Sequence, residues 1–337
     1  MTIGSRGALR RWSRWSLPLL AEGSVLVGGQ AVIEGVLMRL PMTYAVAVRN
    51  PKGEVKVKRE RLPETAKGKF GNLPLVRGSV ILFKAMMLGL SALNYSAEVA
   101  MEEEPGDVPE GVQAPAEAKA EVKKDGGTFS WAMALTVAFS LALGIVLFFY
   151  VPLLLTQLLT KYLPMANHSL GFNLVDGFIR IVFFVVYILS ISLMKDIRRV
   201  FAYHGAEHKV VYTWEAKEDL TVENARSKST LHPRCGTSFL LFVMVVSILV
   251  FSVVPHDFPF WVKALSRLVF LPLIAGISYE LIRLTAKFPK SPIVRPFMWP
   301  GLAFQLLTTR QPDDAMLEVA LKALSEARDL ANEPVIT

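Results

Sequence analysis

The stretch FSWAMALTVAFSLALGIVLFFYVPLLLTQ, Phe129 to Gln157, holds no charged residue, and the interval from Asp125 to Lys161 is uncharged between its ends. It exceeds the roughly 20 apolar residues that cross a bilayer core, so it reads as a transmembrane helix. Working outward, a second span covers about Leu174 to Met194. Asp176 and Arg180 sit near its outer end, where long side chains can snorkel. A third, Gly236 to Pro255, is uncharged and rich in Val, Leu and Phe. The fourth, about Val262 to Ile282, is interrupted by Arg267 and Glu280. Pro255 to Trp261 is too short for more than a turn, so the last two spans are expected to form a hairpin.

Composition agrees. Of 337 residues 52% are hydrophobic and 20% charged, with mean hydropathy +0.40. Soluble domains carry about 25% charge, and an ordinary cytosolic enzyme is excluded. The net charge is +8. Met101 to Thr128 holds eight acids against three lysines, which leaves 34 basic and 21 acidic residues, or +13, on the rest. The single cysteine, Cys235, cannot form an internal disulfide, which excludes a disulfide-stapled secreted domain and a CxxC site.

Lys and Arg near the span ends set orientation. The connection Lys195 to Cys235 carries eight, whereas the first and third connections carry one each, Lys161 and Lys263. Arg283, Lys287, Lys290 and Arg295 follow span four on the side of the basic central loop. The counts predict a multi-pass protein of the inner (cytoplasmic) membrane with both termini cytoplasmic. That parity makes Ser79 to Met101, where Lys84 breaks the apolar run, an amphipathic or re-entrant interfacial helix instead of a fifth span.

The expected fold is a mainly α integral membrane protein: four transmembrane helices plus a small N-terminal α+β cytoplasmic region with a β-hairpin. Residues 1–23 form a basic tail whose Trp12, Trp15 and arginines suit either a membrane-surface anchor or a disordered tail, with an organelle transit peptide as a lesser option. In 24–100, Thr43 to Arg49 and Glu54 to Arg59 alternate around Asn50-Pro51-Lys52-Gly53, a hairpin signal. The preceding glycines are not a phosphate-binding fingerprint and read as tight backbone packing of a small sheet. Residues 101–128 read as an acidic flexible linker, 195–235 as a cytoplasmic loop, and 283–337 as a cytoplasmic C-terminal segment. Within that segment Asp313 to Leu330 forms an amphipathic helix whose apolar face needs a partner, either the N-terminal region or another protein.

Chemistry concentrates in His204, Glu207 and His208 of YHGAEH, an HxxEH pattern. On a helix the two histidines lie about 40° apart with the carboxylate on the same face. This inverted zincin order allows two imidazoles to hold a metal while Glu207 acts on its water. The alternative is that the histidines meet lipid phosphates or cap carbonyls. His232 is the first choice for a third donor, Cys235 the second and Glu280 the third, although Arg283, one turn on, offers Glu280 an ordinary ion pair. A straight continuation of span two would carry His204 about 15 Å past Met194, so either the helix turns along the membrane surface or Glu280 is out of reach.

GGQAVIEGVLMR, YAVAVR, YHGAEHKVVY, LTVENARSKSTLHPRCGTSFLL and LPLIAGISYELIR together resemble the successive blocks of a bacterial membrane-protein family catalogued as domain of unknown function 1385, over about Gly28 to Phe304. The resemblance implies the label that family carries, predicted metal-dependent enzyme. It marks Gln30, Glu34, His204, Glu207, His208, Asn224, His232, Arg234, Cys235, Tyr279, Glu280 and Arg283 as positions to watch. Leu37 and Trp214 depart from the family's usual residues, and neither is a proposed ligand.

Two readings follow. The first is a metal-dependent hydrolase at the cytoplasmic membrane surface, with a divalent metal, zinc by ligand type, and an anionic lipid or unstructured peptide as substrate. The second is a non-catalytic membrane scaffold, assembly factor or transporter subunit. The bilayer is the expected partner, and no nucleic acid is expected.

Overall fold

The computed structural model describes residues 27–62, 73, 75–102, 131–288, 291–292 and 294–334. The basic tail and nearly all of the acidic linker read from the sequence lie outside these residues.

Four strands form an antiparallel meander in the order β1 (Gly28–Val32), β2 (Gly35–Arg39), β3 (Thr43–Arg49) and β4 (Val55–Arg61). The expected hairpin is β3–β4. A second hairpin, β1–β2, precedes it. Both faces of the sheet are covered, so β2 and β3 are apolar at nearly every position, unlike a sheet with one wet face. Val36, Met38, Ala45 and Ala47 face one way, and Val32, Leu37, Val46 and Val48 the other.

The second face packs on α1 (Val76–Ala100) through Ala92 and Val99, while Ser96 Oγ accepts from the Ile33 amide. The N-terminal end of α1 meets α9 (Leu271–Lys287), where a Cβ on Gly78 would lie 2.7 Å from the Tyr279 side chain. The first face packs on α5 (Lys195–Glu215) and α11 (Asp314–Asn332). Asp313 caps α11 by accepting from the Met316 amide, and Met316, Leu317, Ala320, Leu324 and Ala327 are buried. Of the two partners foreseen for that face, the helix packs against the N-terminal region.

The remaining helices are α2 (Trp131–Ile145), continued by a π-helical turn (Val146–Tyr150) into α3 (Val151–Leu159); α4 (Ser169–Ile191); the short α6 (Val222–Arg226); α7 (Gly236–Phe251); α8 (Phe260–Val269); and α10 (Arg295–Thr308). Among the described residues three helices are long and apolar enough to cross a membrane: α1, the stretch Leu135–Leu159, and α4. The pair α8–α9, bent by 46°, makes up to four. Within α7 only Phe239–Phe251 counts as apolar helix, shorter than a full span. Packing distinguishes α1 from the others, because its C-terminal half lies on the sheet.

Asp176 and Arg180 do not snorkel. They are 1% and 5% exposed and turn inward, where the Asp176 carboxylate accepts from Arg180 at 2.9 Å and from Arg267 at 3.1 Å. Arg267, which interrupts the fourth span, is thereby accommodated, with its guanidinium 4.0 Å from the Phe251 ring centroid.

Candidate metal centre

Between α4 and α5 the chain breaks at Met194, whose ψ of 134° is extended. This break interrupts the straight continuation of α4 that would have carried His204 out along the line of span two. Gly205 permits the end of α10 to dock on α5: a Cβ there would sit 2.0 Å from the Arg310 carbonyl, and the Arg310 amide donates to the Phe201 carbonyl at 2.9 Å. The docked segment brings the Thr308 carbonyl to His204.

The loop from α6 to α7 is tied to the same helix. Buried Lys209, its amine pushed down by burial, donates to the carbonyls of Arg226 and Lys228 at 2.8 and 2.7 Å. Tyr212 donates to the Leu231 carbonyl at 2.9 Å. The Gln305 carboxamide accepts from the His232 amide and donates to its carbonyl, both at 2.8 Å. These bonds deliver Thr230 to His208, and Cys235 to the foot of α7.

His204 Nδ1 lies 2.8 Å from the Thr308 carbonyl and His208 Nδ1 lies 2.5 Å from the Thr230 carbonyl. A carbonyl oxygen only accepts, so each Nδ1 carries a proton, which in the neutral ring leaves the lone pair on Nε2. His204 Nε2 is 3.1 Å from Cys235 Sγ. His208 Nε2 is buried and has no hydrogen-bond partner among the described residues. One donor atom each from His204, His208 and Cys235 lies within 4.8 Å of the others. Ligand bonds of about 2.0–2.1 Å to nitrogen and 2.3 Å to sulfur put tetrahedral donors about 3.5 Å apart, so the three can close on one ion with small adjustments. Anchoring of the far ring nitrogen by a carbonyl is the usual support of a metal-binding histidine.

Glu207 lies beside this group, its carboxylate 3.9 Å from His204 Nε2. Burial pushes its carboxyl up, opposed by His204 and by the Gly29 amide, which donates to it. A Cβ on Gly29 would fall 2.6 Å from the Glu207 side chain. The GGQ glycines therefore do more than pack a sheet: Gly29 makes room for this carboxylate.

His232 is placed elsewhere. Its Nε2 faces the Glu215 carboxylate at 3.3 Å, and its Nδ1 accepts from the Arg234 amide at 3.3 Å. Both ring nitrogens are thus committed, and Cys235 takes the position in which His232 was the first choice. Burial alone would raise Glu215, but the hydrogen bond from His232 and the Arg234 guanidinium hold it below the usual range. Burial pushes His232 down, so the ring is neutral and donates through Nε2. Arg234 reaches Glu215 directly and anchors the loop, away from the donor group.

Glu34, in the β1–β2 turn at φ 50°, pairs with Arg199 and accepts from Tyr203 at 3.4 Å. Glu280 makes a bidentate pair with Arg77 at 2.6 and 2.5 Å, while Arg283 is exposed. Neither carboxylate joins the three donors. Gln30 packs on Gly89 of α1, and the Asn224 side chain donates to the Asp219 carbonyl at 2.9 Å. Thr230, Thr308 and Gln305, which organise the donors mainly through backbone oxygens or amide contacts, carry no sequence signal of that role.

A family model described as "Protein of unknown function (DUF1385)" matches residues 73–330. The chain belongs to this family. The matched residues contain α5, Cys235 and all but the last two residues of α11, whereas the sheet precedes them. A chain of similar length, "Uncharacterized protein YqhQ" of Bacillus subtilis (strain 168), is 32% identical over 303 residues, covering 89% of this chain and 91% of that one. No solved structure matches the chain.

Proposed function

We propose that this chain is a multi-pass inner-membrane protein in which His204, His208 and Cys235 bind one divalent cation of the zinc class at the cytoplasmic surface, with Glu207 as the base of a hydrolytic reaction. The observation that carries this is His208 Nε2, buried and without a hydrogen-bond partner among the described residues, on a ring grouped with His204 and Cys235 within 4.8 Å. Buried polar atoms are nearly always satisfied, and an orphan calls for an explanation. A cation supplies one for all three donors together.

Two imidazoles and one thiol suit zinc, and three protein ligands are the number found where a fourth position takes water or substrate. A zinc-class ion held by these three residues would polarise water. Glu207, buried and 3.9 Å from His204 Nε2, stands where it would receive that water's proton, and the Gly29 amide keeps its carboxylate in place. In this reading α2–α3, α4, α7 and α8–α9 cross the bilayer and α1 does not, which leaves the sheet, α5 and α11 together on the basic, cytoplasmic side.

The test is cobalt substitution. Cobalt(II)-loaded wild-type protein should show a near-ultraviolet sulfur-to-metal charge-transfer band, and Cys235→Ser should lose the band while still binding cobalt. A cobalt spectrum identical in wild type and Cys235→Ser contradicts the ligand set.

A further inference from the structure

The outer edge of β1 lies alongside the site, and we infer that it is a docking strand for an extended polypeptide, which makes the substrate a peptide chain. The inference rests on the hydrolytic reading above and narrows it. Among the described residues β1 ends the sheet, with β2 on one side only. The β1–β2 turn has two residues, Ile33 and Glu34, between the pair Val32↔Gly35. In a two-residue hairpin that closing pair is hydrogen-bonded, and bonded and non-bonded pairs then alternate. Gln30↔Leu37 and Gly28↔Arg39 therefore share ladder bonds, whereas Gly29 and Ala31 turn their amide and carbonyl groups away from β2. The Gly29 amide, bonded to the Glu207 carboxylate, shows where this edge points. The Gly29 carbonyl and both backbone groups of Ala31 follow it along the same line.

The two edges of the sheet are treated differently. β4, VKVKRER, is lined with cations, and Lys56 and Arg59 hold ion pairs to Glu102 and Glu333. Such charges keep other strands from pairing with an edge. β1, GGQAV, has none, its first three residues are exposed, and a Cβ on Gly28 would meet nothing within 4 Å. An unguarded glycine edge in contact with a buried base admits another backbone at close range. Groups that alternate donor and acceptor every second residue match an extended peptide, and an acyl chain has nothing to pair with them.

The corresponding step is peptide hydrolysis. Water oxygen bonds to the scissile carbonyl carbon, the C–N bond breaks, Glu207 takes a proton from the water and passes it to the departing nitrogen, the second water proton follows to the same nitrogen, and the products are a carboxylate and an ammonium group. No oxidant or reductant enters.

The experiment incubates detergent-purified wild type, Glu207→Gln, Ala31→Pro and Gly28→Lys with a peptide mixture prepared from bacterial membrane proteins. New termini are read by mass spectrometry, and metal content is measured for each protein. Ala31→Pro removes an outward amide and leaves the β2 ladder intact; Gly28→Lys adds the guarding charge that β4 carries and is a second variant should the proline disturb folding. New termini from wild type, reduced at least tenfold in all three variants at equal metal content, support the inference. Metal-loaded wild type that produces no Glu207-dependent termini overturns it, as does a metal-loaded edge variant that cuts within twofold of wild type. Wild type without metal and without termini overturns the hydrolase reading itself.

Discussion

His208 Nδ1 and the Thr230 carbonyl oxygen are 2.5 Å apart, and that bond fixes the lone pair of His208 on Nε2, in the volume shared with His204 and Cys235. The carbonyl stays in place because Lys209, next along α5, holds the loop by the carbonyls of Arg226 and Lys228. A side chain that touches no donor thus governs the orientation of one.

Lys209→Met should therefore weaken cation binding by roughly 10–100-fold, the usual effect of losing support behind a ligand, without loss of α5. Competition against a chromophoric chelator measures the affinity and circular dichroism the helix. Unchanged affinity would separate the loop from the site.

Gly29→Ala tests the contact between sheet and base. Its Cβ would come within 2.6 Å of Glu207, so the carboxylate must move or the strand shift. We expect a loss of about 1–3 kcal/mol from overpacking, read as a lower thermal midpoint, with the metal content of wild type. A variant as stable as wild type would mean that the carboxylate does not rest on β1.

The sequence conveyed the long apolar helices more fully than the site, and particular residues show why. An uncharged run such as Phe129 to Gln157 is a local property, visible without knowledge of its neighbours. The paired β3–β4 strands flank Pro51 and Gly53, whereas β1–β2 turns on Ile33 and Glu34, which carry no turn chemistry, and that hairpin was missed. His232 looked like the nearest third donor because it lies in the same loop; Glu215, two turns past His208, captures it. Glu280 has Arg283 one turn away and chooses Arg77, about two hundred residues earlier, because α1 crosses α9 there. Pairings of this kind depend on which elements cross, and spacing along the chain does not encode that.

Arg234→Ala leaves buried Glu215 without its guanidinium partner, with His232 still beside it. Breaking a buried pair from one side costs about 3 kcal/mol, so the thermal midpoint should fall by several degrees. The pH dependence follows from Glu215, held below its ordinary 4.5 in the folded protein. The unfolded chain then binds the proton more readily, so stability is present above about pH 4.5 and declines as pH falls through the folded value. Glu215→Gln should lose stability at pH 7 and show a shallower decline between pH 5 and 3. Parallel melting curves for the two proteins across that window would contradict the assignment.

Asp176→Ala leaves two buried guanidinium groups, Arg180 and Arg267, without their shared carboxylate. Destabilisation of roughly 3–5 kcal/mol is expected, measured as loss of monodisperse protein on heating in detergent. The triple change Asp176→Ala, Arg180→Met, Arg267→Met should recover most of it, since apolar replacements of a buried ionic cluster are often neutral or stabilising. Failure of the triple variant to recover would show that the cluster does more than hold α4, α7 and α8 together.

Elemental analysis of chelator-free protein addresses the three donors most directly, for wild type, His208→Ala and Glu207→Gln. Wild type and Glu207→Gln are expected to carry close to one zinc, iron or manganese ion per chain, and His208→Ala less than about a fifth of that, since a three-ligand site holds its ion through purification. Wild type with no more metal than His208→Ala would leave the His208 lone pair without its cation and contradict the proposal.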